Sequence, residues 1–153
     1  MTRSNAREIA VHLVYELHYN DEPAGELLSI HMDEEYYAGL KDVAEVYAER
    51  PNEKQQDYIS ALVQGVQEKR PELEAYIEKY AVNWKLNRIS HISRAIMEVA
   101  MYEILYIEDV PVGAAINEAV ELCKRYGEEE TASFVNGILG NFAREVANDV
   151  SGS

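Results

Sequence analysis

The stretch "TASFVNGILGNF", Thr131–Phe142, decides the fold class. Two readings compete for it. Asn136-Gly137 between short apolar runs is the strongest local hairpin signal a sequence can carry. Against it, Phe134, Val135, Ile138, Leu139 and Phe142 recur at helical spacing and form one wide apolar stripe. A hairpin would leave two isolated strands in a chain with no other strand-period segment, and a lone two-stranded hairpin is marginal in water. The helix reading wins, with Thr131 as its cap. It must then account for Gly137 and Gly140, each costing roughly 1 kcal/mol in a helix interior. They lie three apart on one face, where a missing Cβ admits either a packed neighbouring backbone or a ligand. Close helix packing is the first expectation and ligand approach the second.

The helical period extends through the rest of the chain. Ala6, Ile9, Ala10, Leu13, Val14 and Leu17 mark an amphipathic first helix, with Asn5 and Glu8 resembling a capping box. "NDEPAG" (20–25) breaks the chain, and "ELLSIHMDEEYYAGLKDVAEVYAER" reads as one or two acidic helices ending before Pro51. Tyr58, Leu62, Val63 and Val66 mark the next helix, and Pro71 opens another. "NWKLN" (83–87) is a break. Ser90 caps a helix with the stripe Ile92, Ala95, Ile96, Val99 and Glu103. Pro111 starts a helix burying Val112, Ala115, Ile116, Ala119, Val120 and Cys123, which Gly127 stops. The expected fold is all-α, a compact bundle of about seven helices with short connections and antiparallel neighbours.

Composition narrows the function. The chain has 153 residues and is 47% hydrophobic, enough for a sizeable core and too apolar for a disordered tail. No apolar run approaches the roughly 18 residues of a membrane span, and the first helix, carrying Glu8 and Glu16, is unlike a signal peptide. One cysteine, Cys123, excludes an intramolecular disulfide and fits the cytoplasm. The net charge of −14 speaks against bulk nucleic-acid binding, but the acid is unevenly spread. Residues 20–57 hold eleven acids against three bases, whereas residues 1–19 are neutral. A polyanion must therefore approach the first helix or the Lys79–Arg94 region.

Catalysis finds no footing. None of His12, His18, His31 and His91 has an acid three residues before it, so the helical Glu-x-x-His metal pair is absent. No Gly-rich phosphate loop and no nucleophile elbow is present. No catalytic residue, metal or cofactor is expected.

"INEAVELCKRYG" (116–127) followed by "SFVNGILG" (133–140) resembles the signature of the NusB family of bacterial antitermination factors. The resemblance extends to "AIMEVAMYEIL" (95–105), Val110-Pro111, "NWKLNRIS" (83–90) and "AREIAVHLVYEL" (6–17). It implies a non-enzymatic protein of two antiparallel helical subdomains, about 1–80 and 81–148, with a flexible tail at 149–153. Trp84 and Tyr80 would seal their junction. It further implies a factor in transcription elongation, notably in ribosomal RNA operons. Such a factor binds single-stranded boxA RNA together with a small-subunit ribosomal protein, NusE, and tethers the RNA to RNA polymerase. Some relatives dimerise, so a homodimer is compatible with it.

Matched to the family's RNA contacts, Arg3 and Arg7 fall at its N-terminal arginines, Tyr15 at the aromatic of the first helix, and Phe134 at the Phe before "VNG". Arginine forks hold phosphates, and an aromatic ring stacks on an unpaired base for roughly 1–3 kcal/mol. Departures weaken the pattern. Ser4 and Asn5 stand where many members carry further arginines, Ala132 and Ser133 fill a basic or His position, and Glu98 stands where Arg is usual. Each lost phosphate contact lowers the salt slope by about 0.7 on a single strand. The chain alone is expected to bind RNA poorly and to recruit a basic partner through its acidity. Two rivals remain: a protein-only interaction module of the same fold, and the RNA-recruiting domain of a ribosomal RNA methyltransferase, which needs a downstream catalytic domain.

Overall fold

The computed structural model describes residues 1–82, 88–126 and 129–151, with side chains as far as 147. Among these residues the chain is all-helical: α1 (Arg3–Leu17), α2 (Ala24–His31), α3 (Glu34–Ala38), a 3-10 turn (Glu45–Ala48), α4 (Glu53–Tyr80), α5 (His91–Tyr106), α6 (Val112–Arg125) and α7 (Glu129–Ser151). The hairpin reading of Asn136-Gly137 fails, and both residues lie inside α7. No described helix is long and apolar enough to cross a membrane. The chain divides into two compact units, Met1–Glu68 and Lys69–Ser153, with the boundary inside α4.

In the N-terminal unit α1 packs against α2 and the 3-10 turn. Thr2, not Asn5, caps α1: its Oγ1 accepts the Asn5 N–H at 3.1 Å. Ala6 to Val11 are all buried, so this stretch of helix is enclosed on every side rather than along one stripe. The acidic segment yields two short helices and the 3-10 turn, not a helix running to Arg50. Asp33 caps α3 and Gly39 ends it after five residues. The segment also contributes to the core, since His31, Tyr37, Val46 and Tyr47 are buried.

Pro71 does not open a new helix; α4 runs through it. Proline removes one backbone donor and crowds the preceding turn, at about 3 kcal/mol. Yet Ile59, Leu62, Val63, Val66, Leu73 and Ile77 continue one buried stripe across the site. Burying that stripe at about 1.5–3 kcal/mol per side chain outweighs the single lost bond.

In the C-terminal unit α5, α6 and α7 pack on one another around Ile96, Met97, Met101, Leu122, Val135, Leu139 and Phe142. Ser90 caps α5 as expected, accepting the Ser93 N–H at 3.2 Å. Pro111 caps α6, and Val112 stays 42% exposed rather than joining the buried face. The closing helix begins two residues before Thr131, because Glu129 and Glu130 favour the positive end of its dipole. Expectations for the 83–87 break, Trp84, Gly127 and residues 152–153 of the tail fall outside the described residues.

Candidate nucleic-acid interface

The four sequence-predicted residues fall in both units. Arg3, Arg7 and Tyr15 belong to α1 of the N-terminal unit, and Phe134 to α7 of the C-terminal unit.

Arg3 sits in the first turn of α1, where no acid accompanies it and the helix dipole opposes a cation. It is exposed, and its Cζ lies 4.7 Å from the centroid of the Tyr58 ring. A cation at that distance from a ring centroid makes a cation–π contact. Arg7, one turn on, is only 5% exposed. Its side chain belongs to the interior of the unit, beside the equally buried Glu8. The two arginines are thus physically different groups.

Tyr15 is half-buried and meets Tyr19 edge-to-face at 5.2 Å between centroids. Tyr19, at the end of the same face, is 60% exposed, and its hydroxyl donates to the Tyr15 hydroxyl at 3.4 Å. An open ring of this kind is suited to stacking on an unpaired base. Sequence reading missed Tyr19, although its spacing of four from Tyr15 could have pointed to it. It also missed Tyr58, whose partner stands 55 positions away along the chain, a relationship no local pattern carries.

Phe134 is half-buried on α7. Near it α6 and α7 leave an open groove of about 460 Å3, lined by Gly113, Ile116, Asn117, Val120, Lys124, Glu129, Ala132, Ser133 and Asn136. Asn117 is exposed there. Glu103, on the expected stripe of α5, is fully buried. The glycine question of "FVNGILG" also resolves. A Cβ at Gly137 would meet nothing within 4 Å, and one at Gly140 only the Arg144 guanidinium at 3.8 Å. Among the described residues, close packing of a neighbouring helix is therefore not the reason for either glycine.

Two cations of the Lys79–Arg94 region, Lys79 and Arg94, are engaged with acids of their own unit. Lys79 pairs with Glu145, which also accepts the Tyr80 hydroxyl. That shared hydrogen bonding holds the Glu145 carboxyl below its ordinary range and raises Lys79. Arg94 lies 3.9 Å from Glu74 and donates to His91 Nδ1 at 2.7 Å. Among the described residues no cluster of three or more His, Cys, Asp or Glu side chains could hold a metal ion.

The sequence profile of the NusB family matches residues 4–144. A transcription antitermination protein NusB of Clostridium kluyveri is 34% identical over 151 residues, covering 95% of this chain and 97% of its own. The protein of that name from Bacillus subtilis is 36% identical over 146 residues, covering 95% and 98%. Among solved structures, NusB of T. maritima superposes with a TM-score of 0.71 at 28% identity, covering 95% of this chain and 92% of that one. A crystal structure of antitermination factors NusB and NusE in complex with dsRNA shares the fold, with a TM-score of 0.72 at 24% identity and coverage of 94% and 96%. With its all-helical fold and a match over nearly its whole length, this chain belongs to the NusB family.

Proposed function

We propose that this chain is a transcription antitermination factor that binds boxA-type RNA jointly with a small-subunit ribosomal protein of the NusE kind and tethers it to RNA polymerase. The reading rests chiefly on likeness across nearly the full length to proteins named for that activity, at 34–36% identity. Arg3, exposed in the first turn of α1 beside Tyr58, supplies the phosphate contact. Tyr15 with Tyr19, and the half-buried Phe134, offer rings for unpaired bases. Arg7 acts from within the fold, as a buried charge that sets the geometry of α1.

The partner carries much of the affinity. A net charge of −14 repels RNA and attracts a basic protein, so the protein pair forms first and brings the missing cations with it. One observation favours the protein-only rival: the buried Arg7 and the exposed acids Glu129 and Glu130 leave few cations for a phosphate chain. Native gel shift separates the two readings. The antitermination reading expects a ternary band containing this protein, NusE and boxA RNA, absent with a scrambled RNA. A protein pair that forms and leaves the RNA unshifted assigns the chain to the protein-only class.

A further inference from the structure

We propose that a cavity in the N-terminal unit binds a small organic monocarboxylate: Lys41 and Arg50 take the carboxylate, and the rings of Tyr37 and Tyr47 take its apolar body. The site involves none of the residues of the RNA reading and stands if that reading fails. Three observations carry it. Residues of α3, of the 3-10 turn and of the stretches after each line a cavity of about 260 Å3. Residues 20–57 hold only three bases, Lys41, Arg50 and Lys54, and two of the three meet on this one cavity. Those two are available to a ligand. Lys41 is exposed and makes no ion pair or hydrogen bond among the described residues. Arg50, also exposed, donates from Nη2 to the Met32 carbonyl at 2.6 Å and has no ion pair among those residues. Its guanidinium keeps further N–H donors for a carboxylate.

The walls are fixed before a ligand arrives. Tyr37 and Tyr47 are both buried and meet edge-to-face with centroids 5.6 Å apart. The Tyr37 hydroxyl donates to the Glu49 carbonyl at 2.8 Å, and the Tyr47 hydroxyl lies 2.7 Å from His12 Nδ1. A preformed site lowers the ordering cost of binding. Charge selects the ligand class. Lys41 and Arg50 against Glu34 leave the lining with one net positive charge, matched to a monoanion. The surrounding segment, eleven acids against three bases, disfavours a dianionic phosphate ester or a nucleic-acid strand. The volume lies just below the roughly 300 Å3 at which drug-sized sites begin, so the body is about one ring or one branched aliphatic chain.

The test is titration of the isotope-labelled full chain with phenylacetate at constant ionic strength, following backbone amide shifts. A ligand of about ten heavy atoms binds near the millimolar range. The shifts should saturate and centre on Tyr37, Ala38, Lys41, Tyr47 and Arg50. Phenylacetamide, the neutral isostere, should bind at least about tenfold more weakly, the scale of a charge-assisted hydrogen bond. Acetate, the carboxylate without the body, should also bind more weakly. Lys41→Gln should weaken phenylacetate about two- to fivefold. Its melting temperature should stay unchanged, because the side chain has no partner to lose. Ala38→Phe, at an exposed position on the lining, should fill the cavity and abolish the shifts. N-acetylphenylalanine should bind more weakly than phenylacetate; tighter binding overturns the small-molecule source in favour of a peptide's C-terminal carboxylate. Equal binding of acid and amide overturns the carboxylate assignment. No saturable shift at these residues in the folded chain, or unchanged affinity in both variants, overturns the site.

Discussion

The Arg70 Nε on α4 lies 3.5 Å from Oε2 of Glu98 on α5, and the Glu98 side chain is fully buried. Read from sequence, Glu98 counted as a cation missing from an RNA surface. Its burial assigns it to the interior of the C-terminal unit, so it takes no phosphate contact from that surface. The pair is asymmetric, because Arg70 keeps 24% of its side chain in water and Glu98 keeps none. Removing the arginine deprives a buried carboxylate of its counter-ion, at about 3 kcal/mol or more. Removing the acid leaves a cation whose Nε and Nη2 are buried but whose side chain as a whole still reaches water, a smaller penalty than an enclosed carboxylate. Urea unfolding should find Arg70→Leu clearly more destabilising than Glu98→Leu. Equal losses would place the charge at 98 in a solvated setting.

The N-terminal unit carries an acid-sensitive cluster. His12 Nδ1 is 2.7 Å from the Tyr47 hydroxyl, and the His31 ring lies 5.7 Å from the Tyr47 ring and 5.6 Å from that of Tyr36. His31 is 3% exposed, and neither ring nitrogen has a hydrogen-bond partner. Burial, with the neighbouring His12 second, pushes the His31 pKa down to about 4. Burial also lowers His12, against the opposing pull of the Glu8 carboxylate. Both rings are therefore neutral in the folded chain and protonate more readily when it unfolds. Their contribution is complete above the ordinary value of 6.5 and is lost as pH falls from there toward about 4. Urea midpoints measured between pH 7 and pH 4.5 should fall, and His31→Phe should blunt the fall. An unchanged pH dependence in that variant would remove His31 from the account.

The two arginines of α1 should separate by assay. Arg7→Ala, which deletes a buried charged side chain, should cost about 1–3 kcal/mol of stability. Arg3→Ala, at an exposed first-turn position where the dipole disfavours a cation, should leave stability within about 0.5 kcal/mol and lower RNA affinity instead. Thermal melts beside RNA titrations of both variants check this. A folded, fully stable Arg7→Ala protein with impaired RNA binding would return Arg7 to the surface.

How much of this was legible in the sequence varies with range. Element type was legible throughout, because the apolar period of α5, α6 and α7 is strong and local. The continuity of α4 was legible too, since Ile59, Leu62, Val63, Val66, Leu73 and Ile77 keep one period across Pro71, but the proline outweighed the stripe in the reading. Helix starts slipped by two or three residues where Thr2 caps in place of Asn5 and where Glu129 precedes Thr131. The site was legible only as residue types. Arg3 against Tyr58, and His31 among Tyr36 and Tyr47, join segments far apart in the chain. The burial of Arg7 follows from α1 being enclosed on all sides, which its amphipathic pattern does not disclose.

Gly137 offers a test of why glycine stands on the exposed face of α7. A Cβ there meets open space, so Gly137→Ala should stabilise the chain by roughly 0.5–1 kcal/mol through helix propensity alone. If the RNA or protein partner approaches that face closely, the same substitution should weaken ternary complex formation. Higher stability with unchanged binding would show that no ligand needs the bare backbone.

The most direct measurement is fluorescence anisotropy of labelled boxA RNA, titrated with this chain alone and then with NusE present, at two salt concentrations. The account predicts weak, salt-sensitive binding by the chain alone and binding at least about tenfold tighter with the partner, the gain expected when the partner's charges add phosphate contacts. A protein pair that forms normally and leaves the RNA unbound at both salts would contradict it.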